Sequence, residues 1–327
     1  PMGGTMRLGP GGMQQVWAQF KAALPDAWHP IPVMITEGSD VATLLPTYGH
    51  FTGEAHQGIP PTDDWLEYGM VNIVRLEDGR LAEGWFGMDP VVELQQMGAA
   101  PSPPPRALSA DESANIDLFL QTTGASASEY DSVTAFGPVV VAAGPPQRER
   151  DTKARTLGIY RVGDGVVSSV RSHEFPTVPP YAGAASVDTE ASRSLVTRFI
   201  DTVLGGHEVD ALAAFASPDI LVHPTAMPCE AGFYGPDGVR RWLGTSWDAF
   251  ADLRVLDYAT VASGDIVAVR WTASGTSTGG FLMLPPTGEV VEFTGVSMYR
   301  IEGERIAEIW DTRNTLGIMQ QLNPELT

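Results

Sequence analysis

Only one cysteine, Cys229, occurs in the 327 residues, so an intramolecular disulfide and a thiolate-built metal site are both excluded. It reads as a partly buried loop thiol rather than a nucleophile. Basic residues are scarce: 20 Lys and Arg stand against 40 Asp and Glu, for a formal net charge of −20. That balance argues against binding nucleic acid, which needs clustered cations, and against docking on an anionic membrane. No apolar run approaches the roughly 18 residues of a membrane span. The opening PMGGTMRLGPGG has no apolar core of signal-peptide length. These absences predict a soluble, cytoplasmic protein. The 6 histidines are scattered, and no phosphate-cradling Gly loop, metal-spaced His cluster or G-x-S-x-G elbow occurs. Chemistry without metal or cofactor is the reading that remains.

What the chain does have is repetition. RLEDGRLAEGW (Arg75–Trp85) returns as RIEGERIAEIW (Arg300–Trp310). PPT precedes each Arg at the same spacing, and Gly12 to Gly49 aligns with Gly238 to Gly275 without a gap. A fainter copy lies between them: Tyr130–Gly144 resembles the segment around Tyr258, and YRVGDGVVSSVR (Tyr160–Arg171) resembles YRIEGERIAEIW. The chain is a degenerate tandem repeat of three copies.

Within the third copy, Val239, Trp242, Leu243, Trp247 and Phe250 fall at helical spacing behind Pro236 and Asp237. DIVAVRWTA and EVVEFTGVSMYR are β-branched or aromatic and bounded by Gly and Pro, which predicts strands. Asp78-Gly79 is a hairpin signal. An extra block, residues 191–225, predicts a helix ending at Gly205-Gly206, a second short helix and a strand through Ile220 to His223. The third copy is therefore complete, the first begins only at the third helix, and the second keeps a sheet behind one helix near Ser109–Thr122. Pro-rich and Ser-rich linkers at Ala99–Ser113 and Phe175–Asp188 divide the chain into 1–105, 106–185 and 186–327. A half-domain with a naked sheet face cannot bury enough apolar area alone, so the first two copies are expected to complete each other.

His223-Pro224, Gly235–Val239, Gly264–Val267, Gly275–Gly279, Pro285–Gly288, Arg300–Trp310 and Gln320–Leu322 together resemble the SnoaL-like polyketide cyclase branch of the nuclear transport factor 2-like superfamily. The resemblance covers all of 186–327, most of 1–105 and little of 106–185. It implies an α+β fold of tandem cones, each a curved antiparallel sheet wrapped around helices over an apolar cavity, the third complete and the first two incomplete. It implies function less narrowly, since one cone hosts cyclases, isomerases, dehydratases, epoxide hydrolases and non-catalytic binders.

Cyclases of this type place an acid four positions after the Trp, which implies Asp89 in the first copy. Period two sends Trp85, Gly87 and Asp89 to one strand face, where an apolar setting would tune the carboxyl for proton transfer. The alternative is that Asp89, before Pro90, merely ends the strand. In the third copy the position is Asn314, able to hydrogen-bond a carbonyl or enolate. Asp311 and Arg313 then alternate to the opposite face, as a surface or interface ion pair; only a bulge would aim them inward as a water-activating set. The family's usual His is Ser277 in the third copy, and in the first His50 falls one place early, near Tyr48. His223 is a candidate base or carbonyl-orienting group, or a buried His bonded to backbone. Arg270 and Trp271 alternate, so one of them faces the cavity. Trp85, Trp242, Trp271, Met298 and Trp310 are expected to line it, a surface suited to a planar hydrophobic ligand.

The reading is a cofactor-independent enzyme doing proton-transfer chemistry on a hydrophobic small molecule: cyclisation, isomerisation, dehydration or ring opening. Its polar groups would be His223, Arg270 and Asn314 in the third copy and Asp89, Tyr48 and His50 in the first. Two alternatives stay open: a binding protein without turnover, and incomplete copies acting as a built-in dimer partner for the third, with or without a further homodimer.

Overall fold

The computed structural model describes residues 9–100, 107–130, 132–136, 138–143, 155–175, 180–225 and 232–326; Cys229 lies outside them. Three sheets share a plan of four antiparallel strands, to which the third adds two. The first copy has β1 (Val33–Glu37), β2 (Asp40–His50), β3 (Trp65–Glu77) and β4 (Arg80–Gly87) in the order β1-β2-β3-β4. Helices α1 (Gly9–Ala23) and α2 (Pro90–Gln96) bracket it. In the second copy, α3 (Ala110–Thr123) precedes β5 (Ser132–Phe136), β6 (Val139–Ala143), β7 (Arg155–Gly163) and β8 (Val166–Phe175), again in chain order. The third copy opens with α4 (Thr189–Phe199), which runs into a π-helical turn at Ile200–Gly205 and a 3₁₀ turn at Val209–Ala214. Then come β9 (Ala216–His223), β10 (Phe233–Tyr234), α5 (Gly235–Trp247), β11 (Arg254–Ser263), β12 (Ile266–Thr276), β13 (Val290–Glu302), β14 (Arg305–Arg313) and α6 (Thr315–Leu322). Its sheet runs β10-β9-β14-β13-β12-β11, with β9 parallel to β14. The fold is the α+β tandem the repeat predicted.

Local signals act as expected. Ser109 caps α3 in a reciprocal capping box with Glu112, and Gly124 ends it in the left-handed region. Asp78-Gly79 and Asp164-Gly165 take positive φ at both positions, which makes the tight turns between β3 and β4 and between β7 and β8.

The packing departs from expectation. The first sheet is covered by the third, not chiefly by the second copy. Val33, Ile35, Ala42, Leu44, Val71 and Ile73 interlock with Val261, Ile266, Ala268, Val296, Met298 and Trp310, all buried, with Trp85 against them. Glu37 ties the seam by accepting from Arg193 of α4 and from the Ala262 N–H. Helix α3 instead covers its own sheet, with Phe119 seated on Ala135, Val140, Ala142 and Val162. Arg161 joins that copy to the third through Asp219 at 2.5 Å. Both faces of the third sheet are therefore interior: one meets the first sheet, the other holds the core of Val196, Phe199, Trp242, Val267 and Tyr299.

The two sheets approach closely at Gly87, where an added Cβ would lie 2.2 Å from Thr312 Oγ1 and 2.8 Å from Val296 Cβ. Gly87→Ala is expected to lower stability by about 1–3 kcal/mol through overpacking, read as a lower thermal midpoint.

Candidate active site

The cavity lies inside the third cone. It has about 70 Å³ open to the centre of a water-sized sphere. Ile200 and Leu204 of the π-helical turn form one wall, and Trp242, Leu243, Ser246 and Trp247 of α5 another. The sheet contributes Trp271 and Ala273 from β12, Phe293, Ser297 and Tyr299 from β13, and Asp311 and Arg313 from β14. The polar groups are few and connected. Asp311, 2% exposed, accepts from Ser297 Oγ at 2.6 Å and from Arg313 Nη2 at 3.1 Å. The indole N–H of Trp271 donates to Ser297 Oγ at 2.8 Å, which fixes the serine hydroxyl toward the carboxylate. Arg313 also donates to Ser246 Oγ at 2.5 Å and so bridges β14 to α5. Burial, and then the nearby Asp311 charge, push the Tyr299 phenol well above its ordinary value, so it stays protonated. One carboxylate thus faces an apolar chamber, held by a hydroxyl and a guanidinium.

Asp311 and Arg313 reach the cavity without a bulge between them. Period two holds from Glu308 to Arg313, beyond the irregularity between Ile306 and Glu308, and the face assignment is what changes. Gly295, Ser297 and Tyr299 pair with Arg313, Asp311 and Ile309, while Val296 and Met298 pair with Thr312 and Trp310. The second set is the face the first sheet covers. Trp310 and Met298 are accordingly buried in the seam between copies rather than lining the cavity. Arg270 lies over the Trp85 ring, 4.5 Å from its centroid, also in the seam. Of the expected lining residues, Trp242 and Trp271 are in the cavity wall.

The remaining candidates have other surroundings. His223, fully buried, bonds Glu308 at 2.9 Å and stacks on Trp310 at 5.4 Å, away from the cavity-lining residues. Asn314 caps α6 by accepting from the Gly317 N–H at 3.0 Å. Asp89 caps α2 by accepting from the Val91 N–H and also accepts from Thr315 Oγ1 at 2.6 Å. Tyr48 is buried, stacked between Trp28 and Trp65. His50 is exposed and bonds Asp26 at 2.8 Å. Ser246, Ser297 and Tyr299 were not anticipated. Comparing the copies would have pointed to this face: counting from Trp85 and Trp310, the first copy carries Phe86 and Met88 where the third carries Asp311 and Arg313. Register confirms the match, with Asn72 opposite Phe86 as Ser297 is opposite Asp311.

The chain belongs to the SnoaL-like polyketide cyclase family. The family's model matches residues 2–97 and 194–322, more than half of the chain in two blocks. Similar solved structures include a proposed SnoaL-like polyketide cyclase from Jannaschia sp. CCS1, at 20% identity over 41% of this chain and 92% of that one, TM-score 0.38. A proposed polyketide cyclase from Acidithiobacillus ferrooxidans is 25% identical over 41% and 95%, TM-score 0.38. IdmH, a proposed polyketide cyclase from Streptomyces antibioticus, is 24% identical over 40% and 97%, TM-score 0.36. No curated protein matches the chain. Among the described residues, no group of three His, Cys, Asp or Glu side chains is placed to hold a metal, and no helix is long and apolar enough to cross a membrane.

In this family member the first copy has relocated its polarity. Phe281, Phe293 and Ile318, an apolar group in the third copy, correspond to His56, Tyr68 and Glu93; the matching bridges His56–Ile59 and Phe281–Leu284 fix the alignment. Glu93 is 2% exposed, hydrogen-bonded to the Tyr68 hydroxyl, and 3.5 Å from His56 Nε2. Burial pushes the Glu93 carboxyl from 4.5 up to about 7, and pushes the His56 imidazole down, so both lean to their neutral forms. The folded state therefore keeps a Glu93 proton that the unfolded chain has lost. Stability from this group is full below about pH 4.5 and is lost as pH rises through 7, by about 3 kcal/mol in all. Urea midpoints at pH 5 and pH 8 should differ less in Glu93→Gln than in the wild type.

Proposed function

We propose that the third cone is an acid–base catalyst acting without a cofactor on a small hydrophobic molecule that bears a carbonyl, with Asp311 as the proton-transferring group. The observation that carries this reading is the carboxylate of Asp311 inside an otherwise apolar chamber, fixed by Ser297 and Arg313. An ionised Asp311 would take a proton from carbon next to the carbonyl. Arg313 would steady the enolate charge that develops. The carbon nucleophile would add to a second carbonyl of the same molecule, whose C=O π pair passes to its oxygen. That oxygen would take the proton back from Asp311 to give an isomeric ring. Trp242, Trp247 and Phe293 would hold planar apolar surface against the sheet.

A second reading rests on the same pair: Asp311 could instead draw a proton from water while Arg313 steadies an opening ring, an epoxide hydrolase-like outcome. Both readings make the first cone, with Phe86 and Met88 at these positions, unable to perform the reaction.

The test is to incubate small-molecule extracts of the source organism with wild type and with Asp311→Asn, and to follow them by mass spectrometry. A metabolite consumed by wild type and spared by the variant supports the reading. An isomeric product indicates cyclisation, and a product heavier by one water indicates hydrolytic ring opening. A metabolite carried unchanged through gel filtration by both proteins would make this a binding protein.

A further inference from the structure

We propose that His207 is a clasp on the mouth of the third cone, and that a ligand reaches the cavity when its ring lets go. The proposal concerns entry alone, and it holds whether Asp311 turns the ligand over or only binds it. Depth identifies the mouth. Asp311, Ser297, Tyr299 and Trp242 of the cavity wall are buried, whereas Leu204, Trp247 and Leu253 are only half-buried. One end of the cavity therefore approaches solvent where the π-helical turn, α5 and the loop before β11 meet.

His207 is not itself a wall residue; it sits outside this end and ties its three parts together. Its imidazole stacks on Trp247, with ring centroids 4.6 Å apart and planes 16° apart. Its Nε2 lies 2.5 Å from the Leu253 carbonyl oxygen. A carbonyl can only accept, so Nε2 carries the proton and donates. Leu204 stands three residues before it, on the π-helical turn, a geometry frequent at functional sites. One ring thus bridges that turn to α5 and to the loop before β11. The first copy has no such seat: in the gapless match, Lys21 stands where the third copy has Trp247.

The backbone holds this ring in place at a cost. His207 has a φ of 58°, in the left-handed region that a residue with a Cβ rarely occupies. Such strain persists only where the surroundings fix it, and it gathers at ligand clamps and switches. Ending the helix does not call for it, since glycine at 207 would take this φ freely. The ring is what histidine adds. Just before it, Gly205-Gly206 joins the ring to the wall helix, and a Cβ on Gly206 would lie 2.6 Å from the Thr202 carbonyl oxygen. The other end of the turn is fixed: Ile200 and Val203 are buried in the core, and Tyr258 donates to Asp201 at 3.0 Å. Release of the ring therefore moves the Gly-Gly end and leaves the rest of the turn seated.

The test is access to the cavity from solvent, measured in the full chain. Ala273 of β12 lines the cavity, and Ala268 of the same strand lies in the seam, both buried. In a Cys229→Ser background, Ala273→Cys and Ala268→Cys each leave one thiol. Its labelling by methyl methanethiosulfonate is followed by mass spectrometry of the intact chain. His207→Gly deletes the ring and relaxes the backbone. It is expected to speed labelling of Ala273→Cys by about tenfold, as when one hydrogen bond and one ring stack no longer oppose opening. Labelling of Ala268→Cys should stay as it was. His207→Phe keeps a ring on Trp247 but loses the bond to Leu253, and should fall between wild type and His207→Gly. An unchanged rate for Ala273→Cys, or equal acceleration at both positions, would overturn the proposal.

Discussion

Asp311→Asn is expected to slow consumption of the wild-type metabolite by about 10²–10⁴-fold, the usual worth of a positioned acid or base. The substitution is nearly isosteric. The remaining carbonyl oxygen can still accept from Ser297 Oγ, so the Trp271–Ser297 relay has no reason to collapse. What is lost is proton affinity and the negative charge beside Arg313. The new amide NH₂ also meets the guanidinium donor to donor, which costs about 1–2 kcal/mol of stability through one lost hydrogen bond. Initial rates by mass spectrometry and urea midpoints on the same preparations separate the two effects. A rate loss no larger than the stability loss would explain would remove Asp311 from the chemistry. A large rate loss with a small midpoint change would place it there.

The fold was legible because repetition and spacing are local. The Asp-Gly turns, the Ser109 cap, the break at Gly205-Gly206 and the Arg75/Arg300 match each follow from a few adjacent residues, and all occur where the sequence put them. The site was half legible for a reason that is not local. Alternation along β14 correctly separates Trp310, Thr312 and Asn314 from Asp311 and Arg313. Choosing which set faces the cavity assumes that the apolar set points inward. That holds for a sheet with one face in water. Here the outer face is covered by a second sheet, so Met298 and Trp310 are apolar because they meet Ile73 and Trp85, not because they meet a ligand. The same covering makes Arg270 a seam residue, stacked on Trp85. Single-sequence periodicity cannot distinguish two buried faces. Comparing the copies can, because two charged residues of the third copy that the first replaces with apolar ones, Asp311 by Phe86 and Arg313 by Met88, lie on the cavity side.

Glu308→Gln should cost about 3–5 kcal/mol, because it removes the buried carboxylate that pairs with the Arg300 guanidinium and bonds the His223 ring. Glu308 is fully buried and accepts from His223 Nε2 at 2.9 Å and from Arg300 Nε at 3.0 Å. Its burial comes from topology. β9 lies parallel to β14, with Leu221 opposite Glu308 and His223 opposite Trp310, so the hairpin's charged pair is shut away from water. The first copy contains the same pair in the other environment. Arg75 bonds Glu83 at 3.1 Å, but β4 is an edge strand and the Glu83 side chain is 53% exposed. Glu83→Gln should therefore leave stability almost unchanged, as screened surface pairs do. Urea unfolding of the two variants side by side, followed by tryptophan fluorescence, tests one sequence motif in two surroundings. Equal midpoints would mean that β9 does not seal the third hairpin, and His223 would then be open to solvent and again a candidate for proton transfer. Unequal midpoints in the expected order would make His223 a structural histidine, held by Glu308 at the edge that β9 closes.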